Sequence, residues 1–296
     1  MISKTAMITI CGRPNVGKST LTNALAGEKI AIVSNKPQTT RNRITAVCQR
    51  GETQFVFLDT PGFHKPRTRL GDYMVNVVRQ SVADVDAVVL VVEPVASLGP
   101  QERELIASIK AANCPAVLAI NKLDTVEPEK LLAVIALYSE AYAFNAIVPI
   151  SAKTGDGVEE LLKELDKFAV ESPALFPEGV TTDQPEKQVC AELIREKLLL
   201  NLEREVPHGT AVEITRFSDR DDGIIDLDAT IYCEKASHKG IIIGKHGAML
   251  KKIGEDARKD IEEFMGTKVF LQTWVKVKEK WRDSNSLLRN FGYTDT

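Results

Sequence analysis

The segment Gly12-Arg13-Pro14-Asn15-Val16-Gly17-Lys18-Ser19 sets two glycines, a lysine and a hydroxyl at the spacing G-x-x-x-x-G-K-[ST]. Glycines at those places let main-chain N–H groups wrap phosphate oxygens. A helix starting there adds the positive end of its dipole. Lys18 supplies a point charge at the β and γ phosphates, Ser19 Oγ a ligand for Mg²⁺. Thr20, next in the chain, completes the expected phosphate-side set. The base is addressed further on, by Asn121-Lys122-Leu123-Asp124. An ionised Asp124 accepts from guanine N1–H and N2–H₂, whereas adenine would leave the carboxylate unpaired, so the pattern points to GTP rather than ATP. Asn121 is expected to tie this loop to the phosphate loop, and the Lys122 stem to cover the base plane. Ser151-Ala152-Lys153 is expected to offer the Ala152 N–H to guanine O6.

Two further segments complete the chemistry. Asp59-Thr60-Pro61-Gly62 ends an apolar run, where a carboxylate can hold Mg²⁺ through a water and the Gly62 N–H can reach the γ-phosphate. Thr39-Thr40-Arg41 lies in a polar stretch, and a Thr hydroxyl there would complete the Mg²⁺ shell only with a γ-phosphate present, a switch. Thr40 is the favoured residue. Lys18, Thr40 and Gly62 are therefore the expected catalytic groups, and Ser19, Thr40 and Asp59 the expected metal ligands. Residue 63 is Phe, which has no polar group to orient a water, so slow intrinsic hydrolysis is expected.

These motifs need strands and helices to position them. Short apolar runs at 8–11, 44–49, 55–58, 87–92, 116–120 and 146–150 read as strands. Helical patterns follow Gly17 and occupy 70–83, 101–111, 128–142 and 158–168. This alternation predicts a doubly wound, mostly parallel sheet, with ligands beyond the carboxyl ends of its strands. The α/β domain is placed at residues 1–170. Residues 171–186, with Pro173, Pro177, Gly179 and Pro185, read as a linker. A smaller α+β unit is placed at 187–280: helix 187–202, strands 211–217 and 224–232, helices 238–243 and 248–264, and strand 269–277. Residues 281–296 are left as a tail.

Composition agrees with a globular protein: 44% apolar and 27% charged in 296 residues. No run of eighteen apolar residues suggests a transmembrane helix, and the N-terminus lacks a signal peptide's apolar core. Five scattered cysteines without a Cys-x-x-Cys pair argue against a disulfide framework or zinc site and fit a reducing cytosol. The net charge of −3 is uneven. Residues 235–282 hold 12 Lys and Arg against 6 Asp and Glu, a local +6, while the rest carries −9. An anionic partner for the basic segment is implied.

Within that segment, Gly244-Lys245-His246-Gly247, preceded by Ile241–Ile243, resembles the G-x-x-G loop of KH RNA-binding domains. Such a loop clamps about four nucleotides of single strand. Ile241–Ile243, with Ile243 next to the loop, would floor the bases. Lys239, Lys251 and Lys252 would join Lys245 and His246 at phosphates. Of the two tryptophans, Trp281 beside Arg282 is the better stacking candidate, since Trp274 sits in an apparent strand. The five nucleotide segments together resemble a translation-factor-type GTPase domain, and the element order of the second unit resembles the bacterial, type II KH fold. One such domain followed by the other, with Pro37-Gln38-Thr39-Thr40-Arg41 in the first switch, closely resembles the Era family along essentially the whole chain.

That resemblance implies a bacterial, cytoplasmic GTPase, partly associated with the inner face of the membrane. It also implies binding near the 3′ end of small-subunit ribosomal RNA and a role in maturing the small ribosomal subunit. Related GTPases use an Asn at the place of Asn15 to help bind K⁺. A monomer is expected. An alternative is a protein- or membrane-docking regulatory GTPase whose basic segment reads anionic lipid or an acidic partner. The interleaving of basic residues with strands around a G-x-x-G loop favours RNA. A small-molecule kinase would have no need of Asn121 and Asp124.

Overall fold

A computed structural model describes residues 2–63, 66, 68–82 and 85–293. They form two compact units. The first comprises residues 2–31, 40–63, 66, 71–82 and 85–183, the second 32–39, 68–70 and 184–293.

The first unit is built on a seven-stranded sheet with path order β2-β3-β1-β4-β5-β6. The strands are β1 (Lys4–Cys11), β2 (Ile44–Arg50), β3 (Thr53–Asp59), β4 (Ala87–Val92), β5 (Ala116–Ile120) and β6 (Ala146–Pro149). β2 is antiparallel to β3 and the remaining neighbours along the path are parallel. A short β7 (Val170–Glu171) pairs antiparallel with the start of β1. Helices α1 (Lys18–Ala26), α2 (Arg69–Ser81), α3 (Pro100–Ala112), α4 (Pro128–Ala141) and α5 (Val158–Asp166) connect the strands. Every residue of β4 and β5 is buried. Alternate side chains enter two different apolar clusters, with Val89 and Val91 in one and Val88, Leu90 and Val92 in the other. That two-faced cover is why these strands read as unbroken apolar runs. The parallel strands end together, so the loops carrying the motifs leave one edge of the sheet.

The proline-rich stretch differs from a free linker. Val47 N–H donates to Thr181 O at 2.7 Å. Gln54 Oε1 accepts from the N–H groups of Leu175 and Phe176, and its Nε2 donates to Phe176 O. Residues 171–183 therefore belong to the first unit. Their backbone groups find partners on β2 and β3, which proline-driven sequence reading does not see.

The second unit has the order α6 (Glu186–Asn201), β8 (Ala211–Asp219), β9 (Ile225–Cys233), α7 (Ala236–Ile243), α8 (Ala248–Met265), β10 (Val269–Val277), α9 (Asn285–Asn290). β9 is central, antiparallel to β8 and parallel to β10. Its core takes Val189, Leu193 and Leu198 from α6, Leu227 and Ile231 from β9, and Ile253 and Ala257 from α8. The segment 32–39 adds Ile32 to the same core.

The supposed tail is folded as far as Tyr293; its last three residues, like Ala83 at the expected end of α2, lie outside the described residues. Trp281 is fully buried. Its Nε1–H donates to Gly209 O at 2.9 Å, and its ring meets Phe291 edge-on and stacks on Tyr293. This overturns its assignment as a base-stacking residue, because a ring closed in by aromatic neighbours presents no face to a ligand. Trp274 is the exposed one, at 43%. Period-two alternation on an edge strand turns it outward with Phe270.

The inversion is directly measurable. Trp281→Ala should cost about 3–5 kcal/mol in urea unfolding, and Trp274→Ala about 1 kcal/mol or less. Acrylamide should quench Trp274 emission and spare that of Trp281.

Candidate functional site

The phosphate loop joins β1 to α1, and its geometry follows from Gly17. That residue caps α1 in the left-handed region at φ 98. A Cβ there would lie 2.2 Å from Asn121 Nδ2. Only glycine satisfies both the backbone angle and the close approach. No acidic side chain occupies the first turn of α1 and no side chain caps it, so its leading N–H groups remain directed at an anion. Lys18 is buried, with Nζ donating to Gly12 O at 3.3 Å and to Arg13 O at 3.0 Å. Burial pushes its pKa down, against the pull of Asp59.

Three oxygens from separate segments meet beside the lysine. Ser19 Oγ lies 2.7 Å from Thr40 Oγ1 and donates to Asp59 Oδ2 at 2.8 Å. Asp59 is fully buried, and its Oδ1 has no hydrogen-bond partner among the described residues. Burial raises its pKa to about 6, opposed by Lys18, by the Ser19 hydroxyl and by the Thr60 N–H. A hard cation with oxygen preference fits this set: two hydroxyls, a carboxylate and an unsatisfied buried lone pair. Thr39, the other threonine, spends its hydroxyl locally on Ser34 Oγ and Lys36 O. It is Thr40 that the fold brings to Ser19.

The segment from Asp59 to Phe63 lies along the phosphate loop. Thr60 donates through N–H and Oγ1 to Ile10 O, and Phe63 N–H donates to Gly12 O at 3.1 Å. A Cβ on Gly62 would lie 2.8 Å from Pro14 Cα, so the close approach depends on glycine there. Pro61, Gly62 and Phe63 are all buried, and the Phe63 ring packs in the apolar cluster beneath.

On the base side, Asn121 is buried and its carboxamide donates to Val16 O at 2.8 Å. It also accepts from the Ala152 N–H at 2.9 Å. The first bond is the expected tie to the phosphate loop. The second engages the Ala152 N–H, the group expected to face guanine O6, and brings the loop after β6 to the same side chain. Asp124 stands exposed in the next turn, with Oδ1 accepting from Ser151 Oγ at 2.8 Å. Lys153 is exposed, and Thr20 half-buried on α1. Lys122, at φ 69, is paired with Glu93, which also meets Arg13 at 3.3 Å. Arg13 Nε forms a second ion pair of 2.5 Å with the buried Glu102. Glu93 and Glu102 went unread in the sequence. The signal for Glu93 was its place just past the carboxyl end of β4, where such folds carry chemistry.

In the second unit the loop between α7 and α8 has three positive φ angles: Gly244 at 73, His246 at 50 and Gly247 at 80. The two glycines differ. A Cβ on Gly244 would lie 2.6 Å from Met249 Cβ, whereas one on Gly247 would meet nothing within 4 Å. Gly244 is thus required by packing, and Gly247 leaves room for a ligand. Lys245, His246, Lys251 and Lys252 are exposed, and Lys239 is half-buried. A groove of about 430 Å³ runs from Gly247 along Leu250, Lys251, Gly254, Glu255 and Arg258 of α8 to Phe270, Leu271 and Thr273 of β10. Its helical wall repeats every three or four residues, one face of α8. Lys239 and Lys252 do not line it. The floor is also different from expectation. Ile242 is core, Ile241 is exposed and Ile243 packs half-buried against the core. Leu250 and Leu271 take their place in the groove, because helix α7 turns only one of its three isoleucines fully inward. Arg258 and Phe270 were missed, as nothing in the spacing links α8 to the edge strand.

Comparison with known proteins agrees with both units. Residues 7–122 match the model of the 50S ribosome-binding GTPase family, and residues 205–282 match that of the KH domain. GTPase Era of Ruminiclostridium cellulolyticum is 52% identical over 99% of this chain and 98% of its own. That of Clostridioides difficile is 48% identical over 99% of both. Among solved structures, an Aquifex aeolicus Era variant bound to GDP and AlF4⁻ superposes with a TM-score of 0.95 at 37% identity, covering 99% of this chain and all of that one. An Era in complex with MgGDPNP and nucleotides 1506–1542 of 16S ribosomal RNA gives the same TM-score at 36% identity, with the same coverage. A phosphate-loop GTPase domain followed by a KH domain, with full-length relatives at about half identity, makes this chain a GTP hydrolase belonging to the Era family.

Proposed function

We propose that the chain is a Mg²⁺-dependent GTP switch that binds small-subunit ribosomal RNA near its 3′ end and assists maturation of the small ribosomal subunit. The observation that carries the switch is the meeting of Ser19 Oγ, Thr40 Oγ1 and Asp59 Oδ2 beside Lys18. Ser19, Thr40 and Asp59 would hold the metal, which supplies charge neutralisation on the β and γ oxygens. Lys18 leaves its two loop carbonyls for the phosphates. Main-chain N–H groups of the glycine loop and of Gly62 orient the terminal phosphoryl group. Asp124, presented by Ser151, reads the guanine donors. Thr40 would join the metal's shell when a γ-phosphate is present, which makes its contact with Ser19 the element that hydrolysis would change.

Single-stranded RNA is assigned to the groove between α8 and β10. Gly247 admits the backbone, Lys251 and Arg258 on the groove wall meet phosphates together with the exposed Lys245 of the adjoining loop, and Leu250 and Leu271 lie under the bases. The complex of a related Era with 16S ribosomal RNA supports RNA as the ligand class. The basic groups converge on a groove with an apolar floor, which suits stacked bases better than a lipid surface. Among the described residues no helix is long and apolar enough to cross a membrane. Any membrane association would be peripheral, through the same basic face.

Asp124→Asn should shift preference from GTP towards xanthosine triphosphate by orders of magnitude. Unchanged GTP selectivity in competition binding would remove the base assignment. Lys245→Glu combined with Lys251→Glu should weaken binding of a 16S 3′-end oligonucleotide by about 1–3 kcal/mol and flatten its salt dependence. GDP affinity should stay as it was. This pair is preferable to substitution of Gly244, which would disturb Met249. With Phe63 at the water-orienting place, turnover without partners should be on the order of 10⁻⁴–10⁻³ s⁻¹. The same assay run in KCl and NaCl tests Asn15, at φ 65 within the loop, as a K⁺-dependent group. Equal rates in the two salts would exclude that role.

A further inference from the structure

Three neighbouring parallel strands of the first unit, β1, β4 and β5, end side by side, and a carboxylate stands between the loops that leave the outer two. In register, Cys11 of β1 faces Leu90 of β4, and Val92 of β4 faces Ile120 of β5. Asn121 N–H donates to Val92 O at 2.8 Å. Arg13 in the phosphate loop, Glu93, and Lys122 in the base loop are therefore each the first or second residue beyond its strand. Glu93 divides its oxygens between the two loops. Oε1 accepts from Lys122 Nζ, and Oε2 meets Arg13 Nη2 at 3.3 Å.

Isolated ion pairs at a surface contribute little, because water screens them and ordering two long side chains costs entropy. This carboxylate is not isolated. Arg13 is also held from its other side, by Nε to Glu102 Oε1 at 2.5 Å, and Glu102 on α3 is buried. A Cβ on Gly99 would lie 2.7 Å from Glu102 Oε2, so the turn before α3 closes against that carboxylate. A buried charge keeps its counter-ion, since losing it strands the charge away from water. Glu102 therefore fixes Arg13, Arg13 orients Glu93, and Glu93 fixes the Lys122 ammonium. All four residues lie within the first unit. The other end of the Lys122 side chain is set by its backbone, at φ 69 in the turn after β5. The methylenes between are held at both ends.

We infer that Glu93 is a positioning residue for nucleotide binding, which holds the Lys122 stem in place for the purine by tying its ammonium to the phosphate loop through Arg13. This role depends on Lys122 being the residue that covers the base plane. Glu93 acts through Lys122 and not on the reacting atoms. The purine is the same in GDP and GTP, so both affinities depend on Glu93 equally and the chemical step does not. The sign is diagnostic. A carboxylate acting through its own charge alone would repel a polyphosphate, and its removal would tighten binding. One acting by placement does the reverse.

The test uses the full-length chain. Glu93→Gln keeps the shape of the side chain and removes its charge. In titration calorimetry, Kd for GDP and for GTPγS with Mg²⁺ should both rise about 5- to 20-fold, their ratio unchanged within about twofold. Single-turnover hydrolysis at saturating GTP should stay within about twofold of wild type, so that half-saturation moves and the rate does not. Glu93→Asp keeps the charge but is too short to reach both partners, and its affinities should fall between. If thermal melting shows the Gln variant unfolded, the Asp variant decides. Lys122→Met is measured alone and with Glu93→Gln. Alone it should weaken GDP binding, and the second substitution should then add less than about twofold, because the ammonium it would release is already gone. Unchanged or tighter nucleotide binding in a folded Glu93 variant overturns the proposal, as does full additivity with Lys122→Met. No loss of affinity in Lys122→Met alone defeats the reading of Lys122 as the base cover as well.

Discussion

The carboxamide of Asn121 donates to Val16 O and accepts from Ala152 N–H, and the phosphate loop, the base loop and the loop after β6 are thereby one body. Its position is set by β5, five buried residues in the middle of the sheet, whose carboxyl end releases Asn121 towards the phosphate loop. Gly17 is the other half of the constraint, since any side chain there would occupy the space of the Asn121 amide. This one side chain holds the phosphate loop and the loops after β5 and β6 at a fixed separation. Both of its buried polar ends are satisfied, which is what makes such a tie rigid.

Around that fixed frame sit groups whose charges are poised against burial. Lys18 is pushed towards neutrality and Asp59 towards protonation, each by loss of water and each partly restrained by the other. Phosphate oxygens would offset the burial of the ammonium, and a dication that of the carboxylate. Arg13 is held outward from the phosphate loop by Glu93 and Glu102, and Lys122 by Glu93.

The second unit offers a differently built surface. Its groove has few fixed polar contacts, a glycine at 247 with open space around it, and basic side chains along one helix face. Cations beside an apolar floor would suit the single-stranded RNA proposed for it. Ile32 lies in the core of the KH unit, and Glu192 and Arg195 meet the chain just before Thr40.

The nucleotide motifs, the apolar strands preceding them and the G-x-x-G loop were legible because each is local: a short run in which spacing alone sets backbone geometry or donor pattern. The doubly wound sheet followed from alternation, and β4, β5 and β10 keep the bounds that periodicity assigns them. What tertiary structure decided is what depends on residues far apart in the chain. The prolines of 171–183 announce irregular backbone but not its partners on β2 and β3. Trp281 and Trp274 exchange roles because burial is set by whatever folds over a ring, here Phe291 and Tyr293. The engagement of Ala152 N–H by Asn121, the pairing of Arg13 with Glu102 and the hold of Arg195 on Thr39 all join segments that no periodicity connects. Sequence spacing specifies which chemistry each segment can offer, and only packing determines which of those offers are taken up.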